Sequence, residues 1–170
     1  MKHIFLIAII IGLGILTKAQ SEYEVSSDGT NKILKGLINR ELLAGDTAFQ
    51  WITTNQSGYT PNMAAVNALK AKGSGLELLV FGGTWCADTK DLLPKFFSIL
   101  DAASFPEKQL TLVGVDHDKR TTTHLSEDMH ITKVPTFIVL KDGKEIGRVE
   151  EYGKEGDWDK ELAGIINSAN

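Results

Sequence analysis

Gly82-Gly83-Thr84-Trp85-Cys86-Ala87-Asp88-Thr89-Lys90 is the stretch on which the fold turns. It follows an apolar run of strand length, residues 76–81, and opens a helical pattern that continues to about Leu100. The change of period places Cys86 in the first turn of the helix. There a thiol meets backbone N–H groups without intrahelical partners and the positive end of the helix dipole, and both favour thiolate over thiol. Cys86 is also the one cysteine among 170 residues. Position alone leaves two readings open: a nucleophile, or a small, inert, buried hydrophobe.

Downstream, the helix turns Leu92, Leu93, Phe96, Phe97, Ile99 and Leu100 inward, with Pro94 as an expected kink. Residues 109–115 form a second apolar strand. A helix separates it from the first, so parallel pairing is the economical connection. Residues 121–129 read as a weak helix. Residues 136–140 and 145–149 flank Lys141-Asp142-Gly143-Lys144 as an antiparallel hairpin. Asp157 then caps a last helix bearing Trp158, Leu162, Ile165 and Ile166.

Upstream, polar residues 21–30 read as a loose start. Residues 32–43 read as a helix whose stripe is Ile33, Leu34, Leu37, Ile38 and Leu42. Gly45-Asp46 stops it, and Asp46 caps a short second helix carrying Phe49, Trp51 and Ile52. Thr60-Pro61 opens a third helix over residues 62–72.

Residues 1–19 have the pattern of a secretory signal peptide. Lys2 precedes an uncharged run from Ile4 to Leu16, too short for a membrane span of about 20 residues, and Thr17 and Ala19 suit cleavage before Gln20. An exported, periplasmic or extracellular chain is expected, with no stable membrane insertion after cleavage. The residue directly after the cleavage point is Gln20 and not cysteine, so no lipoprotein anchor is expected. Cleavage removes Lys2 and Lys18 and no acid, so the formal charge moves from −4 to −6. No basic patch invites nucleic acid. The roughly 150 remaining residues suffice for one core, and one cysteine cannot form an internal disulfide, so packing must supply the stability.

A strand, a Trp-Cys step at the head of a proline-containing helix, a second parallel strand, then Val134-Pro135-Thr136 opening a hairpin and a closing helix: this order resembles the thioredoxin superfamily over roughly residues 76–170. Lys90, Pro94 and the Lys141-Asp142-Gly143 turn also fall at that family's spacing. The resemblance implies an α/β thioredoxin-like fold, a central mixed sheet of four or five strands flanked by helices. Residues 60–170 would be the thioredoxin-like domain. Residues 20–59 look like the helical extension of some secreted single-domain relatives.

The resemblance also implies a site. Cys86, Thr89, Trp85 and Pro135 take the catalytic positions, and Val134, Thr136 and His117 line the substrate side. Pro135 is expected in cis, holding main-chain groups toward a substrate that adds like a strand; the plainer alternative is an ordinary strand-opening proline. Two departures stand out. Thr89 occupies the place of the family's second cysteine, and Val80 that of its buried acid. Without a resolving thiol, a mixed disulfide at Cys86 cannot be expelled from within.

What remains is a one-thiol site, in which the Thr89 hydroxyl is expected to donate to the thiolate. Asp116-His117-Asp118 follows the second strand and should lie beside Cys86, since parallel strands end on one edge. There His117 is either a base or merely solvated, and the acids, with Asp88, oppose the thiolate. Trp85 is either core or a lid over the thiol. No paired-cysteine or His-x-x-x-His spacing supports a metal, and no cofactor is implied. His124 and His130 read as surface residues, Trp51 and Trp158 as core. The favoured reading is monothiol thiol–disulfide exchange with protein or small-molecule thiols and disulfides. The alternatives are a redox-inactive module binding a peptide or protein beside Pro135, and a scaffold using its N-terminal helices as an interaction surface.

Overall fold

The computed structural model describes residues 22–169; the signal-peptide reading falls on residues outside them. The centre of the molecule is β3 (Leu76–Gly82), buried at every position but Glu77. β3 pairs in parallel with β4 (Leu110–Gly114), and α4 (Ala87–Ala103) makes the crossover. On its other side β3 pairs antiparallel with β5 (Thr136–Lys141), which turns at Asp142-Gly143 into β6 (Lys144–Glu150). Both turn residues have positive φ, 51° and 72°, as a tight hairpin demands.

The N-terminal segment departs from expectation. Residues 21–30 are not a loose start: they contain β1 (Tyr23–Asp28), an edge strand. The helix expected over residues 32–43 is instead β2 (Asn31–Ile38), followed by the short α1 (Arg40–Ala44). The sheet therefore has six strands, in the order β1-β2-β4-β3-β5-β6, rather than four or five. The physical reason lies in the adjacent pair Ile33 and Leu34, which are 4% and 1% exposed. Neighbouring residues of a strand point to opposite faces, so β2 is covered on both, and a doubly buried strand shows the adjacent apolar pairs that also make a helical stripe.

Two glycines let the strands close up. A Cβ at Gly114 would lie 2.3 Å from the Leu34 carbonyl oxygen. Gly36, at φ +120°, would bring one to 2.4 Å from the Glu22 carbonyl oxygen. The helix starts follow side-chain chemistry. Asn39 caps α1 by accepting from Leu42 N at 2.7 Å, and Asp46 caps a 3-10 turn ahead of α2 (Trp51–Thr54). α3 (Met63–Lys72) is capped by Asn62, which accepts from Ala64 N at 2.9 Å, and not by the expected Thr60.

One face of the sheet carries the larger core, where Leu78, Val80, Leu112 and Phe137 meet Leu92, Phe96, Leu162 and Ile166. The last two belong to α6 (Trp158–Ser168). The opposite face carries a smaller cluster of Leu79, Phe81, Val113, Val115, Ile131, Val134 and Ile138. It is roofed by the connection from β4 to β5, whose helical part is the single turn α5 (Leu125–Asp128). Trp85 and Cys86 pack at the rim of this cluster.

Candidate functional site

Cys86 is the N-cap residue of α4, in extended conformation at φ −79°, ψ 131°. Its backbone is fixed on both sides: Cys86 N donates to Gly83 O at 2.9 Å, and its carbonyl accepts from Lys90 N at 3.0 Å. The half-buried thiol donates to the Val134 carbonyl at 3.2 Å. The Val134–Pro135 peptide is cis, and the Pro135 carbonyl accepts from Glu151 N at 2.7 Å. Thr136 is buried, its hydroxyl donating to Lys133 O at 2.8 Å. The head of β5 thus faces the sulfur with backbone, and the backbone is held from behind.

Thr89 does not reach the sulfur as expected. It is 1% exposed, and its Oγ1 accepts from Gly83 N at 3.2 Å. One helical turn after Cys86, it braces the loop in front of the thiol. Val80, at the place where the family resemblance puts an acid, is fully buried in the larger core.

Trp85 is pinned on several sides. Its Nε1 donates to Val115 O at 2.9 Å. The His117 ring lies against it, centroids 4.2 Å apart and planes tilted by 32°. A Cβ on Gly83 would sit 2.7 Å from the indole, so only glycine fits beneath it. His117 is half-exposed: one face of its ring lies on Trp85, and its Nε2 meets Asp28 Oδ2 at 3.1 Å.

The loop that presents His117 is built by Asp116. Its Oδ1 accepts from Asp118 N at 3.0 Å and Arg120 N at 2.9 Å, and Lys35 Nζ lies 3.4 Å from Oδ2. Partial desolvation works to raise this carboxyl, but the Arg120 N–H, Lys35 and the Asp118 N–H outweigh it and hold it below the usual aspartate range. A lowered folded value means stability that is present above the unfolded value of about 3.9 and lost as pH falls through the folded one. Asp116→Asn should therefore cost about 0.5–1 kcal/mol above roughly pH 5, an amount discounted for solvent screening, and progressively less below pH 4. Urea midpoints of the two proteins across that range check this; a pH-independent difference would refute it.

Beside the start of α4 stands Tyr152, donating to Asp91 Oδ2 at 3.2 Å. Partial desolvation first, then the charges of Asp91 and Asp88, push its hydroxyl up to about 12, so it stays a donor throughout the neutral range.

The sequence did not single out Thr84. It is 3% exposed, its hydroxyl donates to Lys32 O at 2.8 Å, and the same oxygen accepts from Leu34 N at 3.2 Å. β2 pairs with β4 only over Gly36–Ile38, so beyond Gly36 this one hydroxyl replaces the missing strand. A threonine next to a Trp-Cys step carries no spacing signal that would reveal this.

The thioredoxin family model matches residues 63–163, more than half of the chain. The chain belongs to the thioredoxin family. Thioredoxin from Echinococcus granulosus is 39% identical over 92 residues, 53% of this chain and 80% of that protein. Thioredoxin from Chlamydia trachomatis is 35% identical over 75 residues, 44% and 68% of the two chains. Among solved structures, an HIV epitope scaffold superposes with a TM-score of 0.53 at 16% identity, over 75% of this chain and 90% of that one, a likeness of fold alone. Membership in a family that works on protein thiols and disulfides agrees with a half-buried thiol at a helix start. Among the described residues no helix is long and apolar enough to cross a membrane.

Proposed function

We propose that this thioredoxin-family chain carries out monothiol thiol–disulfide exchange through Cys86. The observation that carries the reading is the placement of the thiol: at the N-cap of α4, half-buried, 3.2 Å from the backbone of the residue before Pro135. The Cys86 thiolate, its proton given to solvent, attacks one sulfur of a disulfide. A Cys86–substrate disulfide forms, the substrate S–S bond breaks, and the leaving thiolate takes up a proton. No second cysteine exists in this sequence to reverse the step from within, so an external thiol must release the product. Trp85 and Val134 supply an apolar flank, and backbone at the head of β5 offers edge groups to an extended substrate.

The test is a rate comparison. At neutral pH the folded protein should react with a small aromatic disulfide on the order of tenfold faster than a peptide spanning residues 83–91. It should yield one mixed disulfide per chain on Cys86. A folded rate equal to or below that of the peptide would leave the binding-module reading, to which the Val134 carbonyl opposite the sulfur and the engaged Thr89 hydroxyl lend support.

Export belongs to the same proposal, resting on the pattern of residues 1–19. Expressed with its leader in a bacterial host, the mature chain should begin at Gln20.

A further inference from the structure

Residues 23–38, which lie outside the stretch matched by the family model, are bonded to several of the pieces around Cys86. Thr84, two residues before the thiol, bonds to Lys32 O and Leu34 N. Lys90, in the first turns of α4, donates to Asn31 Oδ1 at 2.8 Å. Asp116 meets Lys35 at 3.4 Å. Asp28, at the tip of the hairpin, meets His117, which lies on Trp85.

The outermost of these contacts has a property the others lack. Thr84 and Lys90 are held through their own atoms, whereas Trp85 is reached from the hairpin only through a relay, Asp28 to His117 to the indole. Lys119 adds a cation 5.7 Å over the same ring while donating to the His117 carbonyl at 3.0 Å. The Asp28 carboxylate oxygen lies 3.1 Å from Nε2 of the imidazole that rests against Trp85.

From this relay we infer that Asp28 is a positioning residue of the Cys86 site: acting through His117, it holds Trp85 as the wall against which a large disulfide substrate docks. The inference rests on the exchange reading for its rate arm only. A small reagent needs the sulfur alone; a protein disulfide must also seat against the wall.

Asp28→Ala removes the acceptor, and Asp28→Asn keeps one. The first readout is acrylamide quenching of Trp85 fluorescence, isolated by subtracting a Trp85→Phe protein. The second is the rate of mixed-disulfide formation with insulin, compared with alkylation of Cys86 by iodoacetamide. Asp28→Ala should raise Trp85 quenching and slow the insulin reaction about two- to fivefold, the size expected of an exposed ion pair, with alkylation unchanged. Asp28→Asn should restore both, and His117→Ala should also raise Trp85 quenching and slow the insulin reaction. Unchanged quenching in Asp28→Ala, or a loss that Asp28→Asn fails to restore, overturns the inference. If the parent protein forms no mixed disulfide at all, the exchange reading falls, while the quenching arm still decides whether Asp28 holds Trp85.

Discussion

Thr89→Cys should convert the protein into a catalyst of dithiol-dependent disulfide reduction, on the order of tenfold or more above the parent chain. The N-cap residue and the third residue after it lie on one side of a helix start, within reach of a disulfide. The new thiol would attack the Cys86 mixed disulfide intramolecularly, a step favoured by proximity over attack from solution. Recovery should stop short of an efficient reductase, for two reasons in the structure. Val80 offers no carboxylate to accept the second thiol's proton, and losing the Thr89 hydroxyl takes the acceptor away from Gly83 N. The measurement is turnover of insulin with dithiothreitol as electron donor, corrected for the uncatalysed rate. High turnover by the parent with no gain in the variant would show that the missing thiol does not limit this site.

The largest stability effect is expected at Thr84. Valine has nearly the same shape, so Thr84→Val keeps the packing while leaving Leu34 N and Lys32 O without their partner. An unsatisfied buried backbone group costs about 1–3 kcal/mol. With both affected, a loss of about 2–4 kcal/mol is expected, which for a chain of this size lowers the unfolding midpoint by roughly 5–15 °C. Thr84→Ser retains the hydroxyl and should lose far less. Equal midpoints for the valine and serine variants would mean that water takes over the two backbone groups.

The parts that were legible in the sequence are those where one local signal and one long-range signal agree. β3, the Cys86 loop and α4 are marked by a change of period at a Gly-Gly turn. The β5–β6 hairpin is marked by two strand-length runs around the Asp142-Gly143 turn. The N-terminal hairpin had equally plain turn chemistry, Gly29-Thr30 with φ +57° at the glycine. It was masked because Ile33-Leu34 and Leu37-Ile38 fit helical spacing as well as they fit a strand, which is covered on both faces at Ile33-Leu34 and on one at Leu37-Ile38. Only the tertiary partner β4 decides between them.

The site divides in the same way. Cys86, Trp85 and Pro135 announce themselves by residue type and spacing, and the structure brings them together with Val134. What could not be read was where side chains of several options turn. Thr89 bonds to Gly83 rather than to the thiol, and His117 takes Asp28, 89 positions upstream, as its partner. Thr84 has meaning only once β2 lies beside it. A hydroxyl or an imidazole has several good partners, and nothing local to it says which will be near.

The place of β2 in the sheet also bears on where this chain can be cut. A fragment holding only the stretch recognised by the family model would leave β4 as the outermost strand. Its outer N–H and C=O groups, now paired with Leu37 and its neighbours, would face water, as would the glycine gap at position 114. A bare edge of this kind is a template for other chains, and such a fragment, which also loses Leu34, Ile38, Leu43, Phe49 and Ile52 from the core, should self-associate through β4.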